Sequence, residues 1–197
     1  MNTITRANIT TFTGRVIDLM NPQEDAINIV DIAHHLSQVC RWAGATNQFY
    51  SVAQHSVFVS FIVPEYLQQW ALMHDAAEAY IGDITRPLKN LIPEVRPIEA
   101  RIMRVIANKY QLAWPEPPQL CEYDDQAIRF EAETVMRQHS GIFAGRGKDE
   151  VQIQSLLPHQ KNRIPRALFG AMTPNASKTM FGIRFQELFP EQDNLFL

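Results

Sequence analysis

Cysteine is scarce: only Cys40 and Cys121 occur in 197 residues. Two thiols are too few for a disulfide framework or a cysteine zinc cluster, so a reduced, cytoplasmic setting is the expectation. Long apolar runs are lacking too. The longest, Val57 to Val63, stops at Pro64, far short of the ~20 residues a membrane helix needs. The opening MNTITRANIT carries no apolar signal segment. Charge of one sign is also missing: 18 Lys+Arg stand against 21 Asp+Glu, giving a net charge of −3 and a pI near 6.1. That balance excludes a broad electrostatic footprint for nucleic acid, while leaving room for a local basic pocket. The 8 glycines form no linker, and no repeat or low-complexity tract is visible. No Walker loop and no serine nucleophile elbow occurs, which excludes a P-loop mechanism and a serine-hydrolase one.

What is present is 46% hydrophobic residues against 20% charged, a balance that suits one soluble globular domain over residues 1–197. Thr11 to Leu19, rich in Thr, Val, Ile and Phe around Gly14, reads as one or two short strands or an extended arm. The pattern then turns helical. Ile29, Ile32, Ala33, Leu36, Val39, Cys40 and Ala43 recur at helical steps, with Gly44 as the expected stop. Ser51 and Gln54 have the spacing of a capping box that opens a helix ending near Val63. Further helices are predicted over Glu65–Ile81, Ile98–Leu112, Gln119–His139 and Lys178–Phe189. Gly82 and Pro87 mark a loop, and Pro115, Pro117 and Pro118 a sharp break. Residues 141–178 are irregular and read as an insertion or arm. The fold class expected is mostly α, with minor β near the start.

Six histidines occur, and His74 is followed directly by Asp75. Glu78 lies one helical turn beyond His74, on the same face of the predicted helix, and Asp83 follows in the loop. His55 sits one helix earlier, and Asp124 and Asp125 open another helix some fifty residues later. Helices packed together could bring two imidazoles and two carboxylates to one ion. Such a mixed nitrogen and oxygen donor set suits zinc, iron, cobalt, nickel or manganese better than calcium. Spacing alone does not choose between Asp124 and Asp125. His34 and His35 lie at the margin of the apolar stripe and read as surface or interface residues. His139 and His159 lack a partner constellation, and the two cysteines read as small buried apolar groups.

The order His55, His74-Asp75, Asp125 resembles the HD-domain metal-dependent phosphohydrolases. The blocks SVAQHS (51–56), ALMHDAAEAYIGDITRPLK (71–89) and YDDQ (123–126) carry the likeness to the nucleotidase branch of that superfamily. The likeness runs from Phe12 to Glu133 and continues weakly in the Phe181–Leu188 stretch. It implies a helical bundle holding a divalent transition metal such as Zn, Co, Mn or Fe, with room for a second ion such as Mg. By resemblance, His55, His74, Asp75 and Asp125 are the metal ligands. Glu78 and Asp83 match the catalytic carboxylates of bacterial 5'-deoxynucleotidases. Arg41-Trp42 resembles a substrate-binding pair that contacts phosphate and sugar. Lys89 resembles a phosphate-contacting lysine of phage dATP triphosphohydrolases.

The likeness is not complete. Related sequences read Arg-Phe-x-Gly-His where this chain has Arg41-Trp42-Ala43-Gly44-Ala45. The implied activity is hydrolysis of the 5'-phosphate ester of a deoxynucleotide. A dNTP triphosphohydrolase preferring dATP stands first, and a dNMP 5'-nucleotidase or a non-catalytic HD-like interaction module stands behind it. The resemblance also implies a homo-oligomer, dimer or hexamer, acting on a small substrate without nucleic acid or membrane.

Overall fold

A computed structural model of the protein describes residues 7–136 and 164–192. The chain is mostly helical, with one small sheet at its start. Strands β1 (Asn8–Thr10) and β2 (Val16–Asp18) pair antiparallel, Ile9 opposite Ile17. Their connection turns at Gly14, whose φ of +81° suits a residue without a Cβ. Ile17 points into the core, and Asp31 clasps the turn by accepting from the Thr13 N–H at 2.7 Å and its hydroxyl at 2.8 Å.

Helix α1 (Ile29–Gln38) is capped by Asn28, which accepts from the Val30 N–H at 2.8 Å. It stops well before Gly44, the stop the periodicity predicts. Residues 39–41 leave the helix because they pair with residues 50–52: Arg41 donates to the Tyr50 carbonyl and Val52 to that of Val39. The apolar spacing of Val39, Cys40 and Ala43 therefore belongs to an extended segment and a short turn, not to a longer helix.

Helix α2 (Val52–Ile62) begins at Ser51, as the capping box predicts, with the Ser51 hydroxyl accepting from the Gln54 N–H at 3.1 Å. It is buried on nearly every side, the mark of a helix at the centre of a domain. Helices α1, α3 (Gln68–Met73), α7 (Leu120–Val135) and α8 (Pro174–Leu188) pack around it. Gln54 does not complete the capping box; its side-chain N–H donates to the Gly170 carbonyl at 2.5 Å and its carbonyl accepts from the Met172 N–H. It thereby pins the approach to α8 against the central helix. Arg184 of α8 donates to both the hydroxyl and the carbonyl of Ser60, while Phe181 and Phe185 bury fully. Each such aromatic contributes about 1.5–3 kcal/mol through area removed from water.

The single helix predicted over Glu65–Ile81 is divided. A 3-10 turn (Glu65–Leu67) leads into α3, the chain tightens at residues 74–77, and α4 (Glu78–Ile81) follows, ending at Gly82 with φ +79°. Helices α5 (Arg86–Leu91) and α6 (Val95–Lys109) continue the chain into α7. Between α6 and α7 lies the proline break, with a cis Trp114–Pro115 peptide. Within the predicted irregular arm, residues 141–163 lie outside the described residues. The rest of it forms the 3-10 turn Arg166–Phe169 and the first turns of α8. His139 and His159 lie outside the described residues as well.

Two further expectations need correction. Cys121 is exposed and Cys40 only half-buried. His35 is a clasp within the fold: it accepts from the Phe12 N–H and meets the Ala79 carbonyl at 2.7 Å, tying hairpin, α1 and α4 together. Among the described residues, no helix is long and apolar enough to cross a membrane.

Candidate metal centre

The central helix α2 carries His55 fully buried, facing the junction of α3 and α4 where His74 and Asp75 lie. Helix α7 completes the group. His55 Nε2 stands 3.2 Å from His74 Nε2, 3.1 Å from Asp124 Oδ1 and 3.6 Å from Asp75 Oδ2. His74 Nε2 stands 3.2 Å from Asp75 Oδ2 and 3.9 Å from Asp124 Oδ1. Ligands at about 2.1 Å from a common ion stand roughly 3.0–3.4 Å apart; the separations of 3.1, 3.2 and 3.2 Å fall in that range, and those of 3.6 and 3.9 Å lie beyond it. His55, His74 and Asp124 each offer one atom, all within 4.8 Å of one another, and could hold a metal ion.

The tautomers follow from the other ring nitrogens. His74 Nδ1 faces the Ala71 carbonyl at 2.8 Å, and His55 Nδ1 faces Glu131 Oε1 at 2.5 Å. Both partners only accept, so both Nδ1 atoms carry hydrogen. In the neutral rings each Nε2 then presents a lone pair. The two lone pairs and Asp124 Oδ1 form one group that could hold a cation, with Asp75 Oδ2 beside both imidazoles and 3.4 Å from Arg41 Nη1.

The field of the site favours positive charge at the same place. Burial works against a charged His74, yet Asp75 and Asp124 outweigh it and hold the imidazole up to about 10. His55 is also raised: burial and Arg41 oppose its charge, and Glu131 and Asp124 more than offset them. Burial would push Asp124 and Glu131 up, but the imidazoles, and for Glu131 chiefly Arg41, draw both down. A proton can supply positive charge where a metal ion otherwise would.

Of the predicted ligands, the structure brings His55, His74 and Asp75 together. Asp125 is not with them. Successive helical residues are ~100° apart, so the face of α7 that turns Asp124 toward the histidines turns Asp125 toward Arg86, at 3.4 Å. The acid that joins the group is Asp124.

Glu78 also departs from expectation. The tightened turn bonds the Glu78 N–H to Asp75 O and the Ala76 N–H to Met73 O, and i→i−3 geometry stacks residues three apart. Glu78 is thereby aligned with Asp75 rather than His74. It is 3% exposed; one carboxylate oxygen meets Lys89 at 3.3 Å, and Oε2 has no hydrogen-bond partner among the described residues. Burial, then Asp75 and Asp83, hold its carboxyl well above the usual range. Asp83 lies in the loop after α4, raised chiefly by burial and within the field of Arg41, Asp75 and His55.

Arg41 is buried beside Asp75 (3.4 Å) and Glu131 (3.1 Å), and the Trp42 indole N–H reaches Glu131 Oε2 at 3.2 Å. Lys89 is shared between Glu78 and Glu99, the latter at 2.6 Å. Glu116 is raised mainly by burial and stands in the field of His74, Asp75 and Asp124.

Glu131 and Glu116 are the site residues that sequence reasoning missed. For Glu131 a signal exists: it follows Asp124 by seven residues, two helical turns, and so shares its face. Glu116 lies in a proline-rich break without periodicity, and nothing in the sequence marks it.

No family model matches the chain. It is 48% identical over 104 residues to the uncharacterized protein YfdR of Escherichia coli, a stretch covering 53% of this chain and 58% of that protein. It is 42% identical over 88 residues to an uncharacterized protein of Rhodobacter capsulatus, covering 40% of this chain and 45% of that one. The chain thus spans about half the length of the curated relatives it matches. Neither name states an activity.

Proposed function

We propose that the protein is a metal-dependent phosphohydrolase acting on the 5'-phosphate ester of deoxynucleotides, with a dNTP, dATP first, as substrate. The observation that carries this reading is the group formed by His55 Nε2, His74 Nε2 and Asp124 Oδ1, which could hold a metal ion, with Asp75 Oδ2 beside both imidazoles. A bound divalent ion would supply an activated water near neutral pH and stabilise charge on phosphoryl oxygens. The protein's part is then argued from its own groups. Glu78, buried and with its carboxyl raised by burial and by Asp75 and Asp83, has one oxygen without a hydrogen-bond partner among the described residues. As a carboxylate it would take the proton of the attacking water, and as the acid it would return one to the leaving oxygen. Asp83 lies in the same field and is suited to orient water or the leaving oxygen. Arg41 and the half-exposed Arg86 offer guanidinium groups to a phosphate chain.

A second reading, a dNMP 5'-nucleotidase, has its own support. Lys89, the residue whose likeness favours a triphosphate, is already paired with Glu78 and Glu99. A third reading, a non-catalytic interaction module, is disfavoured by the intact donor set. The deciding assay presents dNTPs, dNMPs and ribonucleotides to protein loaded with Mn, Co or Zn. Intact triphosphate as product supports the first reading, and orthophosphate from monophosphates alone supports the second. Protein that takes up no metal and turns over nothing refutes both.

A further inference from the structure

Glu131 is fully buried and meets three nitrogens from two places in the fold, the central helix and the Arg41–Trp42 segment. Its Oε1 faces His55 Nδ1 of α2 at 2.5 Å. Its Oε2 accepts from Arg41 Nε at 3.1 Å, in the extended segment after α1, and from Trp42 Nε1 at 3.2 Å, in the turn beyond. That turn is not at ease. Trp42 and Ala43 have φ of +60° and +50°, the left-handed region that side chains disfavour, and Gly44 follows at +80°. Residues in such conformations persist only when their surroundings hold them there. Besides its own backbone bonds and that of Arg41 to Tyr50, the turn is fastened to α7. The indole and guanidinium are tied to Glu131, and the Asn47 N–H donates to the Val135 carbonyl one turn further along α7.

We infer that Glu131 is a positioning residue that couples the metal centre to the Arg41–Trp42 turn, fixing the His55 tautomer with one oxygen and holding that strained turn with the other. The inference rests on the metal-centre reading proposed above. A plain charge-balancing role for Glu131 would need only Arg41. The contacts to an imidazole Nδ1 and to an indole N–H go beyond it, because both are directional and both set where a functional ring points. A carboxylate behind a ligating histidine leaves Nε2 as the lone pair and strengthens it as a donor to metal.

The test uses the full chain and Glu131→Gln, which keeps size and removes charge. In metal-free, 15N-labelled protein the Trp42 indole N–H resonance should move on substitution, while those of Trp70 and Trp114 stay in place. Zinc affinity, read by competition with a chromophoric chelator, should fall about 10–100-fold. A folded variant with zinc affinity within threefold of wild type, or with an unmoved Trp42 resonance, overturns the inference. Glu131→Asp, which keeps the charge but withdraws it by one methylene, serves if the amide variant does not fold. It should bind zinc between wild type and the amide variant, and wild-type affinity there would overturn the positioning role. Wild-type protein that takes up no zinc refutes the metal centre and the role of Glu131 together. Tight wild-type binding beside unchanged variants refutes the role of Glu131 alone.

Discussion

Asp124 and Asp125 are adjacent, identical in chemistry and opposite in expected consequence, so they make the sharpest trial of the metal centre. Asp124 Oδ1 lies 3.1 Å from His55 Nε2, and its side chain is 23% exposed. Removing one partner from a buried charge pair costs about 3–5 kcal/mol, and 1.4 kcal/mol is tenfold in affinity. The partial exposure of Asp124 places Asp124→Asn at the lower end, a loss of roughly 100-fold in zinc affinity. Asp125 meets Arg86 at 3.4 Å with side chains 34% and 49% exposed. Exposed pairs of that kind contribute about 0–1 kcal/mol, so Asp125→Asn should change zinc affinity by less than about fivefold. Isothermal titration of zinc into chelator-stripped protein reads both values, with metal content after gel filtration as a second measure. Equal losses in the two variants, or a loss confined to Asp125→Asn, would refute the assignment of Asp124.

Other outcomes follow from the same geometry. In metal-free protein His74 is held up to about 10 against 6.5 unfolded, so its stabilising contribution is complete below pH 6.5 and fades as pH rises toward 10. Glu78 is also raised, and its contribution fades in the same direction. The Tm in chelator should therefore fall between pH 6 and 9, with saturating zinc removing most of the fall; a Tm that rises over this interval contradicts the scheme. Trp42→Ala should lower the ratio of deoxy- to ribonucleotide kcat/KM, and an unchanged ratio removes Trp42 from the sugar site. Gln54→Ala orphans the Gly170 carbonyl and the Met172 N–H, each costing about 1–3 kcal/mol when buried unpaired. Urea unfolding should show a loss of about 2–6 kcal/mol, and hydrogen exchange should rise first over residues 164–172.

Much of the scaffold was legible because it obeys local rules. Ser51 caps α2 where its spacing says it should, and β2 and the turn at Gly14 fall within the stretch read as strand, whereas β1 precedes that stretch and α8 starts at Pro174, four residues before the predicted Lys178. The places where local rules mislead are those where a tertiary partner takes over. Val39 and Cys40 fit a helical stripe equally well, but strand-like pairing with residues 50–52 competes for their backbone groups and wins. Gln54 satisfies a capping pattern in sequence and spends its amide on a segment more than a hundred residues away. The choice between Asp124 and Asp125 depends on the rotation of α7 against α2, a matter of how two helices pack that no spacing within α7 can fix.

These departures are concentrated around one point. The helix predicted over Glu65–Ile81 breaks at the His74-Asp75 pair, and the helix predicted to reach Gly44 breaks just before Arg41-Trp42. In a continuous helix His74 and Asp75 would diverge by ~100°, and their polar atoms would be drawn apart. Here Asp75 Oδ2 comes within 3.2 Å of His74 Nε2 and within 3.4 Å of Arg41 Nη1. Likewise, a helix carried through residues 39–44 would have no route for Arg41 and Trp42 to reach Glu131. Irregular backbone that forgoes helical hydrogen bonds is retained where it places chemistry. Both breaks do so here, each bringing its side chains to groups on α2 and α7. The regular helices supply the frame; the exceptions to regularity deliver the donors.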